Sequence, residues 1–138
     1  MKKIYFSCSI TGGRLDEAIY TAIVDDLLAS GHEVLTAHLA RTGVALMEQR
    51  VDPREVYQRD VFWIKGCDAL VAEVSTPSHG VGYEIALALT LAKPVLCLYR
   101  QGARISKMIT GNDEPTITVS AYPDQAGALD LVRRFVSA

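Results

Sequence analysis

Two acidic residues of this chain stand in surroundings that are unusual for a charge. Glu84 follows Gly82 by two residues and directly precedes an apolar helical pattern. Asp60 lies in the run EVYQRDVFWIKG, where its helical neighbours at i±3 and i±4 are mainly aliphatic and aromatic. Two carboxylates around a polar cleft can serve as acid and nucleophile at the anomeric carbon of a sugar. The residue types therefore suggest glycosyl chemistry, although their separation in space cannot be read from the sequence.

Each carboxylate also has a structural interpretation. Glu84 is predicted in the first turn of its helix, where the helix dipole favours a negative charge, so it is expected to stay ionised and could be a surface glutamate. Gly80 and Gly82 bracket the turn and favour a ligand crevice instead. Asp60 is either a satisfied structural group or a catalytic acid, and the residues alone favour the structural role modestly.

Several hydroxyl side chains occupy predicted loops close to these carboxylates. Such hydroxyls can bind a phosphate together with backbone N–H groups, although each serine taken singly is most often a turn residue. The set comprises Ser7, Ser9, Ser75, Thr76, Ser78 and Ser106.

The elements that must position these residues alternate between strand and helix. Strands are predicted at residues 4–10, 32–39, 68–74, 94–99 and 116–119, and helices at 15–30, from Pro53 to about Gly66, from Gly82 to Lys93 and from Asp124 to Val136. Asp52 is a predicted N-cap, and Gly31 a predicted left-handed C-cap. Residues 41–51 show no strong pattern.

This alternation predicts an α/β fold with one domain over residues 1–138. The expected architecture is a doubly wound, five-stranded parallel sheet with helices on both faces. Ligands of such sheets bind beyond the carboxyl ends of the strands near the topological switch point. Residues 7–14, 73–84 and 99–106 are expected to form that edge.

Composition narrows the classes of partner. The formal charge of −2 gives no electrostatic footprint for a nucleic acid polymer or an anionic membrane, and no run of 18 apolar residues predicts a membrane span. Cys8, Cys67 and Cys97 lie in apolar runs without metal-ligand spacing, which favours thiols in a reducing, cytoplasmic compartment and no metal. The expected partners are small molecules or protein.

Five segments, taken together, resemble the 2'-deoxynucleoside 5'-monophosphate N-glycosidases of the nucleoside 2-deoxyribosyltransferase family. They are YFSCSITGGR (5–14), TAHL (36–39), RDVFWIKGCDALVAEVSTPSHGVGYEIALAL (59–89), KPVLCLYR (93–100) and ISKMI (105–109). The resemblance implies a flavodoxin-like homodimer, without a cofactor, that cleaves the bond between base and deoxyribose through a covalent sugar–enzyme intermediate. By position, it implies that Glu84 is the nucleophile at C1', that Asp60 handles the proton of the leaving base and that Tyr5 orients the glutamate.

The resemblance also implies a substrate-binding set. Ser9, Ser78 and Ser106 match the serines that bind the monophosphate, with Ser106 supplied by the partner subunit. A serine at position 78, where the transferases usually carry aspartate, adds no charge that would repel a phosphate. Thr11 stands where the glycosidases carry arginine, which removes a cation that Arg14 could replace. The remaining expected contacts are Ser7, Ile10, Gly12, His38, Gly80, Gly82 and Met108.

Two other functions compete with nucleotide hydrolysis. A nucleoside 2-deoxyribosyltransferase would share the nucleophile but pass the sugar to a second base instead of water. A non-catalytic nucleotide-binding module could use the same fold. Tyr5, Asp60 and Glu84 together argue against the binding module, because binding a nucleotide requires no nucleophile.

Overall fold

The computed structural model describes residues 1–10, 16–41 and 43–138. Five parallel strands form one sheet in the order β2-β1-β3-β4-β5. The strands are β1 (Lys3–Ser7), β2 (Glu33–Val34), β3 (Ala69–Glu73), β4 (Val95–Arg100) and β5 (Ile117–Tyr122). The predicted five-stranded parallel sheet is confirmed.

Six α-helices connect and cover the strands in the described part of the chain. They are α1 (Glu17–Ala29), α2 (Val44–Gln49), α3 (Pro53–Gly66), α4 (His79–Thr90), α5 (Lys107–Thr110) and α6 (Gln125–Ser137), with a 3-10 turn at Ala37–Ala40. The caps follow the sequence closely: Asp52 accepts a hydrogen bond from the Arg54 backbone N–H at 2.8 Å, and Gly31 has φ +88°.

The core lies on both faces of the sheet. Helices α1 and α6 pack on one face through residues such as Ile23 and Val132, against Phe6 and Val71 of the strands. Helices α3 and α4 pack on the other through Ile64 and Ile85, in the core cluster that also contains Tyr5. Successive residues of a strand point to opposite faces, which explains why adjacent residues of β1 belong to different core clusters. The doubly wound α/β architecture is confirmed.

The structure differs from the local predictions at several element boundaries, including the first strand, which ends at Ser7, and it contains one helix that was not predicted. The second strand ends at Val34, and residues that were expected to extend it form the 3-10 turn. Helix α2 forms where no pattern was recognised; only its first residue, Val44, is buried, so it has no apolar periodicity to detect. Helix α4 begins at His79, not after Gly82, because Ser78 caps it and both glycines lie within its first turns.

The sheet order defines the edge at which a ligand would bind. The chain passes from β1 outward to β2 and then returns to β3 on the other side of β1, so the direction of winding reverses between β1 and β3. Their carboxyl ends, at Ser7 and Glu73, flank the crevice that this reversal opens. Helix α4, which follows β3, carries Glu84.

Candidate active site

Glu84 lies in the second turn of α4 and is held by two side chains of β1. The Tyr5 hydroxyl donates to its Oε2 atom, and the Ser7 hydroxyl donates to Oε1 at 3.0 Å. Tyr5 and Ser7 are two residues apart on a strand, so they point to the same face, the face that α4 covers. Both carboxylate oxygens are therefore engaged by hydroxyl donors from one strand.

The structure corrects the expectation that a helix terminus keeps Glu84 ionised. Because α4 begins at His79, Glu84 stands beyond the unpaired N–H groups of the first turn, where the dipole effect is concentrated. Burial raises the pKa of Glu84 to about 8. Its stabilisation as an anion must come from the Tyr5 and Ser7 hydroxyls, not from the helix end.

Asp60 lies on α3, with a side chain that is 17% exposed. Its Oδ1 atom accepts a hydrogen bond from Nε of Arg59 at 2.8 Å. Burial raises the pKa of Asp60, while the Arg59 guanidinium acts in the opposite direction. A desolvated aspartate with a raised pKa is a group that can hold and release a proton.

One cavity of about 490 Å³ brings the two carboxylates together. Its wall includes Glu84 and Asp60, from helices that pack side by side. Four further predicted site residues line the same cavity: Ser7, Ile10, Ser78 and Gly80. Its remaining lining is largely apolar, as is common for sites that bind a small organic ligand.

A second groove of about 940 Å³ runs along the other side of α4. Ser106, Met108 and Gly82 line this groove and not the cavity that contains Glu84. Ser78 lines both. Its hydroxyl oxygen accepts a hydrogen bond from the Val81 backbone N–H at 3.3 Å as the cap of α4, so the hydroxyl proton remains to be donated to a ligand.

The other predicted contacts have different surroundings. Ser9 is fully buried. His38 packs edge-on against Trp63 at 5.8 Å between ring centroids, with Nε2 3.8 Å from Glu48, and burial lowers its pKa. Thr11, Gly12 and Arg14 lie outside the described residues.

Sequence reasoning missed two charged residues of the site. Glu48 of α2 lines the cavity, and the neighbouring Arg59 bonds both Glu48 and Asp60. Glu48 lies in the segment without a recognised pattern, so no local signal marked it. Arg59 directly precedes Asp60 and was the one available hint of an ion pair.

No metal site or membrane span accompanies this cavity in the described residues. Across residues 1–10, 16–41 and 43–138, no group of three or more His, Cys, Asp or Glu side chains is arranged to hold a metal ion. No helix within those ranges is long and apolar enough to cross a bilayer.

Comparison with known proteins places this geometry in a family. A Methanosarcina barkeri protein named "Putative 2'-deoxynucleoside 5'-phosphate N-hydrolase 1" is 42% identical over 99% of this chain and 86% of its own length. A mouse protein named 5-hydroxymethyl-dUMP N-hydrolase is 44% identical over 78% of this chain and 64% of its own. The solved structure of the CMP N-glycosidase BcmB from Clostridium botulinum shares the fold with a TM-score of 0.75, at 18% identity over 97% of this chain and 99% of that one. Residues 4–121 match the model of the family described as nucleoside 2-deoxyribosyltransferase, and the chain belongs to that family.

Proposed function

We propose that this protein hydrolyses the N-glycosidic bond of 2'-deoxynucleoside 5'-monophosphates, releasing the free base and 2-deoxyribose 5-phosphate. The observation that carries the proposal is the Glu84 carboxylate, bonded by Tyr5 and Ser7 and facing the same cavity as Asp60. Similarity to proteins named as deoxynucleoside 5'-phosphate N-hydrolases supports this substrate class.

In the first step, ionised Glu84 attacks C1' of the deoxyribose and forms a glycosyl ester. The electron pair of the C1'–N bond goes to the base nitrogen, which receives the proton of Asp60. Tyr5 and Ser7 hold the glutamate in one orientation toward the sugar, so less motion must be restricted as the transition state forms.

In the second step, water replaces the enzyme at C1'. Asp60, now a carboxylate, takes a proton from the water. The oxygen of that water forms a bond to C1' while the C1'–O bond to Glu84 breaks. Glu84 leaves as the carboxylate and Asp60 is again protonated, so the enzyme returns to its starting state.

We assign the 5'-phosphate to Ser78, which lines the cavity, and to Ser9, which is fully buried two residues beyond the end of β1. Ser9 and Ser78 would bind it from the same chain, where Ser78 has a hydroxyl proton to donate and adds no negative charge. Ser106 lines the neighbouring groove of its own chain, which is consistent with a role in the site of a second subunit. We therefore propose a homodimer in which Ser106 completes the partner's phosphate site.

We also propose that this enzyme acts in the cytoplasm, in nucleotide metabolism. The three cysteines, all within the described residues, carry thiols and are buried. Such cysteines are typical of proteins in reducing compartments.

Product analysis tests the proposal directly. Each deoxynucleoside monophosphate is incubated beside its ribonucleotide and its nucleoside, and the products are separated by chromatography. We expect base and 2-deoxyribose 5-phosphate from the deoxynucleotides. Base exchange between a deoxynucleoside and a free acceptor base, without hydrolysis of the monophosphate, would establish the transferase activity that gives the family its name.

Glu84→Ala provides the test of the nucleophile. Removing a covalent nucleophile should lower kcat at least roughly a thousandfold. Circular dichroism should show an unchanged fold. Turnover close to that of the parent, in a folded Glu84→Ala protein, would exclude the covalent mechanism.

A further inference from the structure

A third carboxylate, Glu48, is joined to Asp60 by one guanidinium. Nε of Arg59 donates to Oδ1 of Asp60 at 2.8 Å, while Nη2 and Nη1 of the same side chain donate to Oε1 and Oε2 of Glu48 at 2.7 Å and 3.4 Å. Glu48 belongs to α2 and the other two residues to α3. A single cation thus forms hydrogen bonds with two acids that line one cavity.

The cluster is largely withdrawn from solvent. The side chains of Arg59, Asp60 and Glu48 are 24%, 17% and 13% exposed. The Arg59 guanidinium also stacks over the Trp63 ring, with 5.1 Å to the ring centroid. Charges in such a setting interact more strongly than on an open surface, so sharing one guanidinium has consequences for both acids.

The distribution of the Arg59 hydrogen bonds between Glu48 and Asp60 affects how firmly Asp60 holds a proton. If Arg59 served Asp60 alone, it could offer two parallel N–H bonds and would favour the ionised aspartate strongly. Here both Nη atoms go to Glu48, which leaves Asp60 a single bond from Nε. Two carboxylates against one guanidinium also leave an excess negative charge, which a proton on Asp60 removes.

We infer that Glu48 and Arg59 are positioning residues that set the proton occupancy of Asp60, with Glu48 drawing Arg59 away so that Asp60 keeps a proton for the departing base. This inference rests on the proposed function. In the first step the Asp60 proton passes to the base nitrogen, and Arg59 then stabilises the aspartate that remains. In this role Glu48 exchanges no proton with the substrate or with Asp60.

The surrounding charges agree with this assignment. Burial raises the pKa of Asp60, the hydrogen bond and charge of Arg59 lower it, and the charge of Glu48 raises it again. His38, beside Glu48, has a pKa lowered by burial and by Arg59, so at neutral pH it brings little positive charge to the cluster. Glu84 faces the cavity from α4.

The test is a titration of Asp60 in the ligand-free protein by carboxyl 13C NMR, with its signal assigned by its loss in Asp60→Asn. Glu48→Gln removes the competing charge and should lower the pKa of Asp60 by about one unit. Arg59→Gln should raise it by a similar amount, and Arg59→Lys, which keeps the charge, should fall between Arg59→Gln and the parent. Arg133→Gln, which breaks a remote ion pair with Asp26, is the matched control and should leave Asp60 unchanged.

The result for Glu48→Gln decides the inference. A lower pKa of Asp60 supports it, and an unchanged or higher pKa overturns it, whatever Arg59→Gln does to the fold. The titration needs no substrate, so it can succeed even if the proposed hydrolysis fails. If hydrolysis holds, Glu48→Gln should also slow it roughly tenfold at neutral pH, with a smaller loss at acidic pH and for bases that leave readily.

Discussion

At the scale of single residues, the role proposed for Glu84 conflicts with the buried environment of its side chain. The proposed attack on C1' requires an ionised Glu84, yet burial raises the pKa of Glu84 to about 8. The hydroxyls of Tyr5 and Ser7 are the groups that favour the charged form. The side chains that orient the proposed nucleophile therefore also affect what fraction of it is ionised.

Tyr5→Phe tests this coupling. Loss of a hydrogen bond to a charged group, worth about 1.5 to 3 kcal/mol, should lower kcat/KM roughly ten- to hundredfold at neutral pH. The missing donor also raises the pKa of Glu84, so the loss should shrink as the pH is raised above 8. A loss that is constant across the pH range would assign Tyr5 to orientation alone.

Glu84 also makes stability depend on pH. Its folded pKa of about 8 lies above the ordinary value of 4.5, so the folded state binds the extra proton between these values. The free energy of unfolding should therefore fall as the pH rises from about 4.5 to 8. Glu84→Gln keeps groups that can bond the two hydroxyls but cannot ionise.

Denaturant unfolding of parent and Glu84→Gln at several pH values checks this. The variant should gain a few kcal/mol relative to the parent at pH 8 and above, and the difference should vanish near pH 4. Equal pH slopes for the two proteins would show that Glu84 ionises normally in the folded state.

At the scale of elements, the start of α4 combines an observed structural role with the proposed binding of a ligand. Ser78 caps the helix through its oxygen and lies where the cavity meets the neighbouring groove. If the proposed phosphate contact is correct, a change at this position acts on both helix stability and ligand binding. A substitution that preserves the cap while changing the charge can separate the two effects.

Ser78→Asp makes that separation. Aspartate caps helices at least as well as serine, so the melting temperature should not fall. Its charge should repel a phosphate dianion and lower kcat/KM for monophosphates at least roughly tenfold, with little effect on any turnover of nucleosides. Ser78→Asn is the matched control, since it caps without a charge. An equal loss for nucleotides and nucleosides would place the phosphate elsewhere.

At the scale of the whole molecule, the cavity that contains Glu84 and the groove with Ser106 lie on different sides of α4. One chain thus presents Glu84, Asp60 and Ser78 in one cavity and Ser106 in a separate groove. Met108 of α5, two residues after the N-cap Ser106, is 82% exposed. In the proposed dimer, a second subunit would contact both Ser106 and Met108 of this segment.

Ser106→Ala tests the shared site. Losing a hydrogen bond to the phosphate should reduce kcat/KM for deoxynucleoside monophosphates roughly ten- to hundredfold, while nucleosides should be little affected. Light scattering must show that parent and variant are dimers. Unchanged kcat/KM in a dimeric Ser106→Ala protein would remove Ser106 from the site and favour the transferase.

Local sequence patterns predicted much of the fold of this protein. Alternating strands and helices, the Asp52 and Gly31 caps and the buried run of β3 fixed a five-stranded α/β fold, since apolar periodicity and cap chemistry act within a few residues. The pairing of Glu84 with Asp60 as candidate acids followed from residue type and from resemblance to a family.

Only the tertiary structure decided the electrostatics of the site. The start of α4 at His79, the contacts of Glu84 with β1 and the bridge from Glu48 through Arg59 to Asp60 join residues up to 79 positions apart. Burial and charge sharing depend on all elements that surround a group, and no local pattern encodes them. For that reason the sequence suggested the candidate acids, while the fold creates the surroundings that raise their pKa values.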